Sequence, residues 1–96
     1  MTLTVDIKNR ETDVYIVCPD GRLDANTASF FEEKITPLLG PETKILILDL
    51  EKLTYLSSGG VRVIFKIRKA LATHHGTFIM VNLQPPIQKV FEIINA

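Results

Sequence analysis

Two serines followed by two glycines, Ser57-Ser58-Gly59-Gly60, stand where an apolar run gives way to a helical pattern. The run before them, residues 44–50, predicts a central strand covered on both faces, and a short polar turn separates it from the serines. The serines should therefore lie at a helix N-terminus, where free backbone N–H groups and the helix dipole favour negative charge. A serine in that position can cap the helix, bind a phosphate, act as a nucleophile or accept a phosphoryl group.

A nucleophilic serine is disfavoured by the position of its potential partners. The sequence Leu-Ser-Ser-Gly-Gly lacks the Gly-x-Ser-x-Gly pattern of a nucleophile elbow. His74 and His75 fall at the far end of the helix that Ser58 begins, and a helix of about 15 residues is more than about 20 Å long. Adjacent helical residues also point about 100° apart, so these histidines do not predict a metal site either.

A phosphate-binding loop is only weakly indicated. A Walker A loop requires a lysine directly after its last glycine, whereas Val61 and Arg62 follow Gly60. The backbone N–H groups of Ser57-Ser58-Gly59-Gly60 could still surround an anion, so a small nucleotide- or ligand-binding module remains an alternative. A plain helix cap, which contributes about 1 kcal/mol, also remains open on these residues alone.

The composition limits the class of protein and its partners. The chain has 96 residues, of which 46% are hydrophobic, and its 11 basic residues balance 11 acidic ones. We therefore expect a single domain over residues 1–96 and no nucleic-acid partner. No apolar run approaches the roughly 18 residues that span a bilayer, and no leader peptide is apparent. With Cys18 interpreted as a buried thiol in a reducing compartment, a cytoplasmic protein without membrane contact is expected.

The remaining pattern predicts the elements that position the serines. Residues 2–7 and 13–18 should form an antiparallel hairpin, followed by a turn at Pro19-Asp20-Gly21. Other elements are expected as helices from Asn26 or Thr27 to about Pro37, from Ser58 to about Thr73 and from Pro85 onward, and as strands at 44–50 and 78–81. The order ββαβαβα predicts an α/β domain with a four-stranded mixed sheet and helices mainly on one face.

Two further segments extend the pattern around the serines. Gly21-Arg22-Leu23-Asp24 is similar to a Gly-x-Leu-Asp motif, and Asp-Leu-Glu-Lys-Leu-Thr-Tyr-Leu at 49–56 leads directly into the sequence from Ser57 to Val63. With their spacing, the order of elements and the proline-led last helix, these segments resemble the STAS domain of the anti-sigma factor antagonist type. The resemblance covers essentially residues 2–95 and implies the STAS fold.

The resemblance also implies a regulatory protein that is not an enzyme. Antagonists of this type bind an anti-sigma serine kinase of the histidine-kinase-like ATPase fold and so release a sigma factor. Phosphorylation of a serine at the start of the second helix abolishes that binding, and a PP2C-type phosphatase reverses it. The resemblance implies no cofactor, and the free protein is expected to be monomeric. A STAS subunit of another regulatory or transport assembly is the alternative within the family.

The family motif Asp-Ser-Ser/Thr-Gly-Leu-Gly-Val places the phosphoacceptor on Ser58 without a gap, with Ser57 where the family has an acidic residue. A shifted alignment makes Ser57 the acceptor, but it needs a gap. Arg62 is expected to hold a phosphate bidentately, to pair with an acidic partner surface or simply to be solvated. Asp24 is expected near Ser58 or as a cap of the first helix. The full set of expected partner-binding residues is Asp24, Ser57, Ser58, Gly59, Gly60 and Arg62.

Overall fold

Five strands and three α-helices follow in the order ββαββαβα along the part of the chain that the structure, a computed structural model, describes, namely residues 2–94 without the side chain at 94. The strands are β1 (Leu3–Glu11), β2 (Val14–Leu23), β3 (Ile45–Asp49), β4 (Leu53–Leu56) and β5 (Thr77–Val81). The helices are α1 (Ala28–Ile35), α2 (Ser58–Thr73) and α3 (Pro85–Ile94), and a 3₁₀ turn over Thr36–Leu38 follows α1. The predicted bounds of α2 are confirmed.

The strands form one mixed sheet in the order β1-β2-β3-β5, with β4 added beside β2. β1 pairs with β2 in antiparallel fashion, whereas the β2–β3, β2–β4 and β3–β5 pairs are parallel. The predicted mixed α/β sheet is therefore confirmed. The first half of β2 pairs with β3 and its last residues pair with β4, so β2 changes partner along its length.

The expectation of four strands is wrong, because the residues predicted as a polar turn before the serines contain β4. Leu53 and Leu56 are buried, whereas Thr54 and Tyr55 between them are exposed. A strand of four residues with this pattern is too short to show the period of two by which strands are recognised. Because β4 pairs with the last residues of β2, the residues before α2 are held at the end of β2.

The predicted turn at Pro19-Asp20-Gly21 is also wrong, since these residues belong to β2. The N–H of Gly21 donates to Lys52 O, whereas that of Arg22 donates to Thr2 O on the opposite side. The backbone N–H and C=O groups of the odd-numbered residues of β2 therefore point toward β3 and β4. The pairing with β3 ends at Val17 and that with β4 begins at Gly21. Pro19, which has no N–H, lies in the gap between these partners, where no ladder bond is lost.

Gly21 is required at its position by the approach of the chain's N-terminal segment. Its φ is +119°, and a Cβ there would lie 2.0 Å from the Thr2 carbonyl oxygen. No side chain fits at that distance, so only a glycine at this position lets the chain before β1 lie directly against the end of β2. The glycine of the Gly-x-Leu-Asp motif is thus explained by backbone packing.

The helices cover one face of the sheet, as predicted. Along β3, Leu46 and Leu48 are buried, whereas Ile45 and Ile47 on the opposite face are only partly buried. The prediction that this strand is covered on both faces is therefore wrong, because the helices pack on the face of Leu46 and Leu48 and leave the face of Ile45 and Ile47 open. The largest fully buried side chains form the core between sheet and helices, and they are Val17, Leu23, Phe31, Ile35, Leu46, Leu48, Leu50, Leu53, Ile64, Ile67, Leu71 and Ile87.

Candidate functional site

The two serines lie where β4 ends and α2 begins, and Ser57 has all its polar groups engaged there. Its backbone is extended, and its Oγ accepts a hydrogen bond from the N–H of Gly60 at 3.3 Å. Its N–H donates to Leu23 O and its carbonyl accepts from the N–H of Val61, both at 3.0 Å. Ser57 is therefore the N-cap of α2 and also connects the helix to the end of β2.

Ser58 is the first residue of α2 and differs from Ser57 in its exposure and in its hydrogen bonding. Its side chain is exposed, and among residues 2–94 its hydroxyl has no hydrogen-bond partner. Its backbone N–H belongs to the first turn, where the N–H groups have no intrahelical acceptor. The free hydroxyl of Ser58 therefore lies beside unpaired donors at the positive end of the helix dipole.

The two glycines after the serines have different roles. A Cβ on Gly60 would lie 2.8 Å from Leu23 O and 2.7 Å from Leu56 Cδ1, so only glycine lets α2 approach the end of β2 this closely. A Cβ on Gly59 would lie 3.6 Å from Ser57 Oγ and 3.7 Å from Ala25 Cα, which is ordinary contact. Gly60 is buried and positions the helix, whereas Gly59 borders the loop after β2.

The loop after β2 is held beside α2 by a buried threonine. Thr27 is 3% exposed, and its hydroxyl donates to Arg22 O at 2.8 Å and accepts from the N–H of Asp24 at 3.0 Å. The Asp24 carboxylate accepts from the N–H of Asn26 at 2.9 Å. Thr27 immediately precedes α1, as predicted, but its hydroxyl makes no capping bond to the helix. Neither it nor Asp24 caps α1 through its side chain, because both side chains fix the loop instead.

An exposed cation–aromatic pair borders the serines, and sequence reasoning missed it. The guanidinium carbon of Arg22 lies 4.1 Å from the centre of the Tyr55 ring, and Arg22 Nε lies 3.6 Å from Asp24 Oδ2. Tyr55 is 42% exposed. The two residues are neighbours because β4 pairs with β2, and without a predicted β4 nothing in the sequence indicates their contact.

The structure thus brings most of the predicted binding residues to one edge of the sheet. Asp24 lies in the loop that contacts Gly59, and the serines follow β4 at the same edge. Arg62 is exposed one turn into α2, and among residues 2–94 it makes no ion pair. The edge formed by the carboxyl ends of β2 and β4 is where open α/β sheets present binding residues.

The open face of the sheet carries a polar cavity of about 220 Å³ that includes Cys18. The thiol is half-buried, so the prediction of a buried cysteine is only partly right. Burial raises the pKa of the Cys18 thiol, and the carboxylate of Asp49 raises it further. The thiol form is thus favoured, which makes a nucleophilic role for Cys18 unfavourable. Within residues 2–94, no group of three His, Cys, Asp or Glu side chains is arranged to hold a metal ion.

None of the helices in the described part of the chain combines the length and hydrophobicity that a membrane crossing requires.

Fold and site together define a small α/β domain with a hydrogen-bonded loop–helix edge, and comparisons with known proteins identify its family. The STAS domain family matches residues 5–96. Over 93 residues the chain is 30% identical to BtrV of Bordetella bronchiseptica, covering 97% of this chain and 78% of BtrV. It is 28% identical over 93 residues to the anti-sigma-B factor antagonist of Listeria monocytogenes, covering 97% and 82% of the two chains.

Solved structures agree with this assignment. The anti-sigma factor antagonist SpoIIAA in its unphosphorylated form matches with a TM-score of 0.83 at 21% identity, over 94% of this chain and 79% of that one. The phosphorylated form of SpoIIAA, a Bacillus cell fate determinant, matches with a TM-score of 0.78 at 20% identity, over 96% and 84%. The chain belongs to the STAS domain family, in the group of anti-sigma factor antagonists. BtrV is itself named as an anti-sigma factor antagonist, as are the Listeria relative and SpoIIAA.

The different packing of the two glycines predicts opposite effects of the same substitution. Gly60→Ala should destabilise the protein by about 1–3 kcal/mol, because the new methyl group overlaps the Leu23 carbonyl oxygen. Gly59→Ala should be neutral or stabilising by up to about 1 kcal/mol, because alanine is the better helix former and has room. Urea denaturation of both variants measures the difference. Equal stabilities of the two variants would contradict the proposed contact between α2 and β2.

The buried hydroxyl of Thr27 predicts a second stability difference. Thr27→Val should cost about 1–3 kcal/mol, because it leaves the Arg22 carbonyl and the Asp24 N–H without their partner. Thr73→Val is the matched control, since the Thr73 hydroxyl bonds Lys69 O at the exposed end of α2 and its loss should cost less than about 0.5 kcal/mol. The free energies of unfolding from urea titrations test this. A Thr27→Val variant as stable as its control would show that the loop is held in another way.

Proposed function

We propose that this protein is an anti-sigma factor antagonist whose binding to an anti-sigma serine kinase is switched off by phosphorylation of Ser58. The observation that carries the proposal is the difference between the two serines: the Ser57 hydroxyl caps α2, whereas that of Ser58 is exposed and unpaired. An acceptor hydroxyl must enter the active site of a kinase. Ser58 can do so without a change of fold, whereas Ser57 would have to give up its cap.

A phosphate on Ser58 is compatible with the fold for an electrostatic reason. It adds about −1.5 to −2 charge and three acceptor oxygens at pH 7. The N-terminus of α2 favours negative charge, and an acidic group there stabilises a helix by about 0.3–1 kcal/mol. The nearby Asp24 carboxylate opposes the phosphate, but it is already paired with Arg22. The fold therefore tolerates the modified residue.

The same phosphate changes the surface that a partner meets. Before modification this surface, defined by Arg22, Asp24, Tyr55, Ser58 and Gly59, combines a neutral hydroxyl with an aromatic ring and an ion pair. An interface that packs on the hydroxyl would have to desolvate a doubly charged group after phosphorylation, which is unfavourable without a matching cation. Binding is thus lost without a conformational change, and a PP2C-type phosphatase restores it.

The proposed protein is not an enzyme and acts in the cytoplasm. Within residues 2–94 the two histidines follow the far end of α2, and the Asp24 carboxylate in the loop beside Gly59 is bound to Arg22 and to the N–H of Asn26, so none of these groups is placed to act as a general base for Ser58. Phosphorylation of Ser58 therefore requires a partner that supplies both the nucleotide and the catalytic groups. The surface at the carboxyl ends of β2 and β4 is the part of the molecule that this partner would contact.

Substitution of Ser58 tests the switch. Ser58→Asp should fold normally but bind the kinase at least about tenfold more weakly, because about 1.4 kcal/mol of repulsion and desolvation suffices for that factor. Ser58→Ala should bind as the unmodified protein does and incorporate no phosphate. Isothermal titration calorimetry with the cognate anti-sigma kinase measures affinity, and mass spectrometry after incubation with ATP locates the phosphate.

Ser57→Ala separates the two serines. It should lower stability by about 1 kcal/mol through loss of the cap, yet remain a substrate that is phosphorylated on Ser58. Phosphate found on Ser57 in the unmodified protein, or undiminished incorporation in Ser58→Ala, refutes the assignment of the acceptor.

The exposed ring of Tyr55 should contribute a large part of the free energy of kinase binding. Tyr55→Ala should weaken kinase binding by about tenfold or more, because aromatic residues at interface centres commonly contribute more than about 1 kcal/mol. His74→Ala, at an exposed position after the other end of α2, is the control and should leave affinity unchanged. Calorimetric titration of both variants gives the comparison, and equal affinities would place the interface elsewhere.

A further inference from the structure

Arg62 lies one turn after Ser58 on the outer side of α2. Both side chains are exposed, whereas Val61 and Val63 on either side of Arg62 are buried in the core. Residues four apart in a helix are neighbours on its surface, with Cβ atoms about 5–6 Å apart. Ser58 and Arg62 are therefore adjacent on one exposed strip of α2, and the helix alone fixes this relation.

The direction of helical side chains brings Arg62 back toward Ser58. Each Cα–Cβ bond in a helix tilts toward the N-terminus, so a long side chain covers the turn that precedes its own Cα. Gly59 and Gly60 have no side chain and Val61 is buried, so none of the three intervening residues lies between the two side chains. The guanidinium of Arg62 can thus reach the space around the Ser58 hydroxyl.

The neighbouring charged groups are already engaged with one another. Lys66, one turn further along α2, has its Nζ 2.6 Å from Glu32 Oε2 on α1. Arg22 is paired with Asp24. Among residues 2–94 Arg62 makes no ion pair, so its guanidinium can bind a new anion at this end of α2 without breaking an existing pair.

We infer that Arg62 binds the phosphate of modified Ser58, with two guanidinium N–H groups donating to two phosphate oxygens. This pairing rests on the proposed function, because it forms only once Ser58 is phosphorylated. The planar guanidinium matches a phosphate bidentately, and such charge-assisted hydrogen bonds are about twice as strong as neutral ones. An anion followed four residues later by a cation is also the orientation that agrees with the helix dipole.

The pair gives Arg62 a different role in each state of the protein. In the unmodified protein the guanidinium is exposed and available to a carboxylate of a partner. A phosphate on Ser58, with a charge of about −1.5 to −2, binds the guanidinium within the chain. Phosphorylation thus adds an anion to the surface and also withdraws a cation from it, so a partner loses the neutral hydroxyl and the free guanidinium together.

The second pKa of the phosphate reports this pair directly. Phosphoserine is introduced at position 58 during synthesis of the full chain, so no kinase is needed. An adjacent cation favours the doubly charged phosphate and lowers this pKa, which is about 6 in an unperturbed phosphoserine. Arg62→Gln should therefore raise the phosphate pKa by at least about 0.3 pH units. Titration followed by ³¹P NMR measures the change.

Lys69→Gln is the matched control, because it removes the same charge from an exposed position of the same helix. Lys69 lies about 16 Å from Ser58 along the axis of α2, which exceeds the Debye length at physiological salt. Its replacement should move the phosphate pKa by less than about 0.1 pH units. Arg62→Lys keeps the charge without the planar fork, and its phosphate pKa should lie between those of the parent protein and Arg62→Gln.

Urea denaturation separates this pair from a structural role of Arg62. Without the phosphate, Arg62→Gln and Lys69→Gln should have the same midpoint as the parent protein, because both side chains are exposed. With phosphoserine at position 58, the midpoint should be lower for Arg62→Gln than for Lys69→Gln, because only the first variant lacks the pair.

A phosphate pKa that is the same in the phosphorylated parent and in Arg62→Gln, or that moves equally in the two glutamine variants, overturns the pairing and leaves the proposed function standing. A failure of the cognate kinase to phosphorylate Ser58 has the opposite meaning. It refutes the proposed function, whereas a pair measured on synthetic phosphoserine still stands.

Discussion

The contact between the first turn of α2 and the last residue of β2 determines the geometry of the whole functional edge. The Leu23 carbonyl accepts the N–H of Ser57 at 3.0 Å and would lie 2.8 Å from a Cβ on Gly60. A helix can approach a strand end this closely only where one helical residue lacks a side chain. Through this contact, β4, α2 and the loop after β2 take fixed positions relative to one another.

A fixed edge suits a switch that acts by surface chemistry. The cap on Ser57 and the buried hydroxyl of Thr27 hold both sides of the site with hydrogen bonds that do not involve Ser58. Modification of Ser58 therefore removes no interaction that maintains the fold. Under the proposed function, the charge of a phosphate on Ser58 would therefore weaken mainly the binding of the partner that packs on this surface, and not the fold.

The sequence predicted the elements with strong periodicity and missed those that depend on distant pairing. The apolar stripe of α2 and its start at Ser58 follow from local spacing and capping preference, and the structure confirms both. β4 has only two buried residues, Leu53 and Leu56, and its formation depends on β2, which lies about 30 residues earlier in the chain. Pro19 and its neighbours in sequence predict a turn. In the structure Pro19 lies within β2, at the position between the pairing with β3 and the pairing with β4.

The residues of the predicted site divide in the same way, into those that local sequence indicates and those that depend on strand pairing. The serines and glycines stand out in the sequence because they are consecutive and lie at a helix start. The contact of Arg22 with Tyr55 joins residues of two strands, and it can be predicted only once the pairing of those strands is known. Asp24 was predicted near the serines through its motif, and the structure adds the reason for its position, a loop fixed by Thr27.

The replacement of the family's acidic residue by Ser57 has a physical explanation in the capping geometry. Asp and Ser are N-caps of similar strength, because either side chain offers an oxygen to the N–H groups of the first turn. The bond from the N–H of Gly60 to Ser57 Oγ shows that the serine fulfils this role. What the replacement removes is one negative charge beside Ser58. With Asp24 already paired with Arg22, a phosphate on Ser58 meets less repulsion from its own chain than it would beside an aspartate. Ser57 thus preserves the capping function of the motif, and the phosphate proposed for Ser58 would meet less repulsion from its own chain.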